Sequence, residues 1–159
     1  MRRTGWAATV GIYQRRAVLQ GEWEPLAGHL NASPFLWPGW IEAWGHAFGG
    51  GRHEILAVYQ NGRLAGVLPL RRLGGVLSSA TNAHTPQFGI LAANEVAAEK
   101  LAQAAFSQDA RHINLSFLLA DDTGLSLTRA TADAQRYRVF TESIEGLPYV
   151  GIDGTSWEE

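Results

Sequence analysis

Apolar positions along this chain fall into short blocks whose period switches between two and about 3.6 residues, the signature of alternating strands and helices. Ala7 to Tyr13 alternates weakly and predicts an opening strand. Trp23, Leu26, Ala27 and Leu30 recur at i, i+3, i+4 and i+7, one face of a helix, which Asn31, Ser33 and Pro34 stop. Pro38 suits the first turn of a second helix, where its missing N–H is not needed. Trp37, Ile41, Trp44 and Phe48 give that helix an aromatic stripe, and Gly49-Gly50-Gly51 ends it with a residue free to take a left-handed cap.

Ile55 to Tyr59 is apolar throughout, as expected of a strand covered on both faces. Asn61-Gly62 predicts a two-residue hairpin turn, because both central residues of that turn need positive φ. Leu64 to Leu70 returns as the partner strand, and Gly74-Gly75 turns into Val76 and Leu77. Ser78 to Gln87 is polar and reads as loop, followed by a short strand at Phe88 to Leu91. Asn94 caps the next helix, with Ala97, Leu101, Ala104 and Ala105 on its buried face. His112 to Leu119 is another strand, and Asp121 or Asp122 caps a helix running to about Gln135. Tyr137 to Thr141 and Pro148 to Ile152 close the chain as extended pieces. The order β-α-α-β-β-β-α-β-α-β-β predicts an α/β fold with helices on both faces of a mixed, mostly antiparallel sheet.

Composition adds limits. A length of 159 residues suits one domain, and 46% apolar content is enough for a core. A net charge of −2 carries no basic footprint for nucleic acid or an anionic membrane. With no cysteine, disulfides and thiolate metal sites are excluded. The apolar run Gly5 to Val10 is too short for a signal peptide or a spanning helix, which gives the expectation of a soluble, cytoplasmic protein with no transmembrane segment. Six tryptophans serve either as core anchors or as a docking surface for another domain.

The element order matches the GNAT acyltransferase superfamily. Four segments narrow the likeness: Asn31-Ala32-Ser33-Pro34-Phe35-Leu36-Trp37-Pro38-Gly39-Trp40 with Trp44, His46 and Phe48 after it, then Ile55-Leu56-Ala57-Val58, then Gly62-Arg63-Leu64-Ala65-Gly66-Val67-Leu68-Pro69-Leu70, then Leu147-Pro148-Tyr149-Val150 through Gly154-Thr155-Ser156-Trp157-Glu158-Glu159. Together, from about Trp23 to Glu159, they resemble the N-terminal half of the CelD/BcsL-like acyltransferases of bacterial cellulose biosynthesis, relatives of the FemAB peptidyltransferases. The resemblance implies two tandem GNAT-like halves, with acyl-CoA, or aminoacyl-tRNA in the FemAB branch, held by the second. It implies direct attack by an acceptor amine or hydroxyl on a thioester or ester carbonyl. The partners it implies are that second half, in the same or a separate chain, and a small-molecule or glycan-precursor acceptor.

The residues agree that the donor loop is missing. In a GNAT domain the turn from the fourth strand into the next helix is glycine-rich, so that backbone N–H groups cradle a diphosphate. Here it reads Ile90-Leu91-Ala92-Ala93-Asn94-Glu95, with no glycine and with Glu95 and Glu99 placing the wrong sign of charge in the first turns. No cofactor is therefore expected on this chain. Ser156-Trp157-Glu158-Glu159 reads as a capping box without a helix behind it. The expected organisation is one GNAT-like domain over 1–155, with 156–159 starting a truncated second half.

Other chemistry is sparse. No two of His29, His46, His53, His84 and His112 have the i, i+4 spacing of a helical zinc site. His29 and His46 read as packed or surface residues, Glu22 and Glu24 as solvent-facing, and the pairs Arg2-Arg3, Arg15-Arg16 and Arg71-Arg72 as a solvated face able at most to meet an acidic acceptor. Neither G-x-S-x-G nor a P-loop is present. The candidate acceptor-binding residues are His84 and Gln87 in the polar loop, with Arg71 and Tyr149; no catalytic base is assigned. Three readings follow: half of an acyltransferase acting on cell-envelope polysaccharide or peptidoglycan precursors, a non-catalytic GNAT-like interaction module, and an active single-domain acetyltransferase with an unusual donor site.

Overall fold

The central hairpin forms where the sequence places it. Asn61 and Gly62 take φ of 55° and 73°, so the turn twists with its strands rather than splaying them. It joins β2 (Arg52–Gln60) to β3 (Arg63–Leu73). The structure, a computed structural model, describes residues 8–13, 19–120 and 122–144. In chain order the other elements are β1 (Thr9–Tyr13), α1 (Gln20–His29), α2 (Pro38–Phe48), β4 (Val76–Ser79), β5 (Leu91–Ala92), α3 (Glu95–Phe106), β6 (His112–Asn114) and α4 (Thr123–Ala134). A single 3-10 turn, Pro34–Leu36, lies between α1 and α2.

The sheet runs β1-β2-β3-β4-β6, with β5 paired to β3 beyond the end of β4. All pairings are antiparallel except β4 with β6. Side chains of a strand alternate between faces, so β2 serves two cores at once. Ile55 and Ala57 pack with Trp23, Ala27, Ile41 and Trp44 of α1 and α2. Leu56 and Val58 pack with Ala97, Leu101 and Ala105 of α3 on the other side. Close approach of α3 depends on Gly66 of β3, where a Cβ would stand 2.9 Å from Leu101 Cδ1 and 3.1 Å from the Leu91 carbonyl oxygen. Helices on both faces of a mixed sheet are what the sequence order predicts.

Several boundaries differ from the sequence reading. The segment Ser78 to Gln87 is not all loop: Ser78 and Ser79 complete β4, and the buried Ser79 hydroxyl accepts the Ser116 N–H at 3.1 Å. The strand expected at Phe88 to Leu91 forms at Leu91–Ala92, with Phe88 making only an isolated bridge to Leu118. The strand expected over His112 to Leu119 stops at Asn114, and Phe117 takes a φ of 62°, which a continuing strand does not allow. Gly49 caps α2 at φ −80°, and the left-handed glycine is Gly51, at 102°. Tyr137 to Thr141 pairs with no strand: Arg136 turns at φ 61°, after which Tyr137 docks on Phe106 and its hydroxyl donates to the Phe106 carbonyl at 3.2 Å. Asn94 and Asp122 cap α3 and α4 as expected, accepting from Ala97 and Gly124 N–H. The pieces around Pro148 to Ile152 and Ser156 to Glu159 lie outside the described residues.

The tryptophans divide by role. Trp23 and Trp44 are buried anchors, Trp23 donating from Nε1 to the Leu36 carbonyl at 3.0 Å and so tying α1 to the 3-10 turn. Trp37 and Trp40 stay partly exposed on α2 and its entry. The arginine pair at the end of β3 is not a solvated face. Arg72 Nε and Nη2 donate to the buried Glu54 carboxylate at 2.7 and 3.0 Å, and Nη1 donates to the Asp109 carbonyl at 2.7 Å. Burial pushes the Glu54 carboxyl upward, and the hydrogen bonds and charges of Arg72 and Arg52 outweigh it, holding the group below the usual carboxylate range. Glu22 likewise meets a partner, accepting from the Tyr59 hydroxyl at 2.8 Å.

Candidate functional site

Residues that could do chemistry lie on both sides of the sheet. On the α1/α2 side, α2 faces the start of β2 and the end of β3. His53 and Arg71 are register partners across the hairpin, and both meet Trp44: the His53 ring lies 6.0 Å away edge-on, and the Arg71 guanidinium 5.9 Å over the indole. Trp44 touches Phe48, and Phe48 stacks flat on His84 at 5.4 Å and 7°. The loop carrying His84 is built by its own polar residues, since Asn82 accepts the His84 N–H at 2.9 Å and Thr81 Oγ1 donates to the Thr85 carbonyl at 2.6 Å. Trp40 Nε1 then fastens it to α2 by donating to the buried Thr85 hydroxyl at 3.1 Å.

In this cluster Trp44 Nε1, His53 Nε2 and Arg71 Nε are buried and make no hydrogen bond. His53 packs against α2 so closely that a Cβ on Gly45 or Gly49 would stand 3.2 or 2.7 Å from Nε2. Burial first, then the Arg71 and His46 charges, push the His53 pKa down, so its imidazole is neutral near pH 7.

On the α3/α4 side, a cleft of about 380 Å³ lies where the two helices begin, bordered by Ile90, Ala92, Asn94, Glu95, Asp122 and Gly124 among others. Three backbone donors at or beside it are engaged. The Ala93 N–H bonds the Ala65 carbonyl at 2.8 Å, Asn94 Oδ1 takes the Ala97 N–H at 3.0 Å, and Asp122 Oδ1 takes the Gly124 N–H at 2.8 Å. Asn94 is itself fixed by Gln60, to which its amide donates at 2.9 Å. Glu95 and Asp122 line the cleft, and no lysine or arginine does.

A solved structure of aminoglycoside N-acetyltransferase AAC(6')-Iy in complex with CoA aligns with 94% of this chain and 100% of its own length, with a TM-score of 0.50 and 9% sequence identity. The fold is that of a GNAT acetyltransferase. No family model and no curated protein matches the sequence, so the likeness lies in architecture alone.

The GNAT resemblance expects a coenzyme A diphosphate at the turn from β5 into α3, where Glu95 and Asp122 border the cleft. The α3 dipole favours an anion by up to about 1 kcal/mol. The Glu95 and Asp122 carboxylates bordering the cleft oppose it by like-charge repulsion. Of the amides nearby, those of Ala93, Ala97 and Gly124 are bonded within the protein. The two sides differ in sign: Arg71 lies in the cluster there, and Glu95 and Asp122 border the cleft here.

The structure brings His84 and Arg71 into one aromatic cluster, at its two ends. Gln87 is half-buried in the same loop, and Tyr149 lies outside the described residues. Sequence reasoning missed Trp44 and His53 as neighbours of Arg71; the Asn61-Gly62 turn was the signal, since counting outward from it brings His53 within one residue of the right partner. Among the described residues no group of three or more histidines and carboxylates is placed to hold a metal ion, and no helix is long and apolar enough to cross a membrane.

Proposed function

We propose that this chain is the acceptor-side, N-terminal GNAT-like half of an N- or O-acyltransferase resembling the CelD/BcsL and FemAB groups. It works in the cytoplasm on cell-envelope polysaccharide or peptidoglycan precursors, with acyl-CoA carried by a second GNAT-like half. One observation carries this reading: a GNAT fold whose turn into α3 is filled by its own Asn94 cap and bordered by Glu95 and Asp122. An unfinished surface supports the presence of a second half. Val139, Phe140 and Ile144 are exposed, Phe140 at 81%, and β6 pairs on one side only among the described residues. Calorimetric titration of the chain with acetyl-CoA tests the donor side; no heat of binding is expected below millimolar concentration, and micromolar binding, or a crystal with the diphosphate seated beside Ala93, overturns the reading.

The same exposed segment favours a second reading, a GNAT-like interaction module that catalyses nothing. The two differ in the neighbouring gene: a downstream frame carrying a glycine-rich acyl-CoA turn favours the half-enzyme, and its absence favours the module.

A further inference from the structure

We propose that Arg71 and Trp44 form a recognition site for an oxyanion, a carboxylate or phosphate group, on the acceptor molecule. The inference rests on the reading of the α1/α2 side as the acceptor wall and gives that wall a chemical preference. Arginine meets such groups through directed N–H donors. Arg71 is half-buried, its buried Nε–H has no hydrogen-bond partner among the described residues, and its guanidinium lies over the Trp44 ring. Its neighbour Arg72 shows what this sheet does with a structural arginine: three hydrogen bonds and a buried carboxylate. The difference sets Arg71 apart as a donor held for something else.

Trp44 makes the same point. It is 4% exposed, and its Nε1–H is buried with no acceptor, although buried indoles ordinarily find one. An oxygen-rich group is the acceptor that both donors lack, and the His53 ring lies edge-on to Trp44 beside them. The carbonyl end of α2 lies beside the cluster and opposes an anion with about half a unit charge; the guanidinium carries a whole one. The loop that holds His84 rests on α2 beside this cluster through a ring stack and a hydrogen bond.

The test is an NMR titration of the full chain, reading the Trp44 indole N–H resonance, assigned by its loss in Trp44→Phe. The probes are glucose 6-phosphate and glucuronate, which present the two oxyanions on the same sugar. A saturable shift of that resonance below about 20 mM is expected with at least one probe, and the tighter one identifies the group. Loss of a charge-assisted bidentate donor predicts about tenfold or weaker binding in Arg71→Gln, while the exposed Arg63→Gln stays within about twofold. Arg71→Lys keeps the charge and loses the Nε–H, and carries the test should Arg71→Gln lose its dispersed spectrum; a weakening of about threefold or more is expected. The proposal falls if neither probe moves the resonance, if Arg71→Lys binds as the parent does, or if Arg63→Gln weakens binding as much as the Arg71 variants. None of these results touches the acetyl-CoA titration, so the oxyanion site and the donor-side reading fail separately.

Discussion

Replacing Glu54 by glutamine isolates the electrostatic joint between β2, β3 and the segment after α3. The carboxylate is 2% exposed. It receives Arg72 through Nε at 2.7 Å and Nη2 at 3.0 Å, and Arg52 through Nε at 3.1 Å. The two arginines differ in worth: the Arg52 side chain is 56% exposed and that of Arg72 15%. An exposed pair contributes under about 1 kcal/mol. Breaking a buried pair costs about 3–5 kcal/mol, because one charge is left inside without a counter-charge. Arg72 keeps its bond to the Asp109 carbonyl, so the lower end applies, about 3 kcal/mol for Glu54→Gln against less than about 1 kcal/mol for Arg52→Gln. With a urea slope of about 2 kcal/mol/M, the Glu54→Gln midpoint falls by about 1.5 M. The sign of the pH effect follows from the lowered carboxyl pKa. The stabilisation is fully present above the pKa of Glu54 in the unfolded chain and is lost as pH falls through the lower folded value. Parent and variant midpoints therefore converge as the solution is acidified below about pH 4. A Glu54→Gln loss under about 1 kcal/mol, or a gap between the proteins that stays constant down to low pH, refutes the reasoning.

Gly66→Ala pushes a methyl into Leu101 and the Leu91 carbonyl, and a loss of about 1–3 kcal/mol in thermal or urea unfolding is expected. Asn94→Ala removes the α3 cap and costs about 1 kcal/mol, while Asn94→Gly costs only a few tenths; an unchanged stability in Asn94→Ala would deny the side chain its capping role. Trp40→Phe keeps the ring and deletes the bond to Thr85; faster amide exchange confined to residues 81–87, with little change in global stability, is the expected result. Trp23→Ala empties a fully buried indole site and breaks the tie to Leu36, with an expected loss of about 3–5 kcal/mol by denaturant titration.

The alternation of apolar residues and the Asn61-Gly62 turn were enough to place α1, α2, the β2/β3 hairpin and α3, because each follows from local periodicity or from a φ that few residues accept. What the sequence could not supply is the register irregularity at Val58/Tyr59. An unbroken count from the turn sets His53 opposite Leu70; the irregularity moves it opposite Arg71 and turns both toward α2. Nothing local marks that slip, which arises from how the strand twists against two layers of helices. Packing also decided that Arg72 is buried on Glu54 while Arg71 lies over Trp44, because adjacent residues of a strand face opposite cores. Phe117 and Arg136 ended two expected strands through backbone turns with positive φ that their residue types do not advertise.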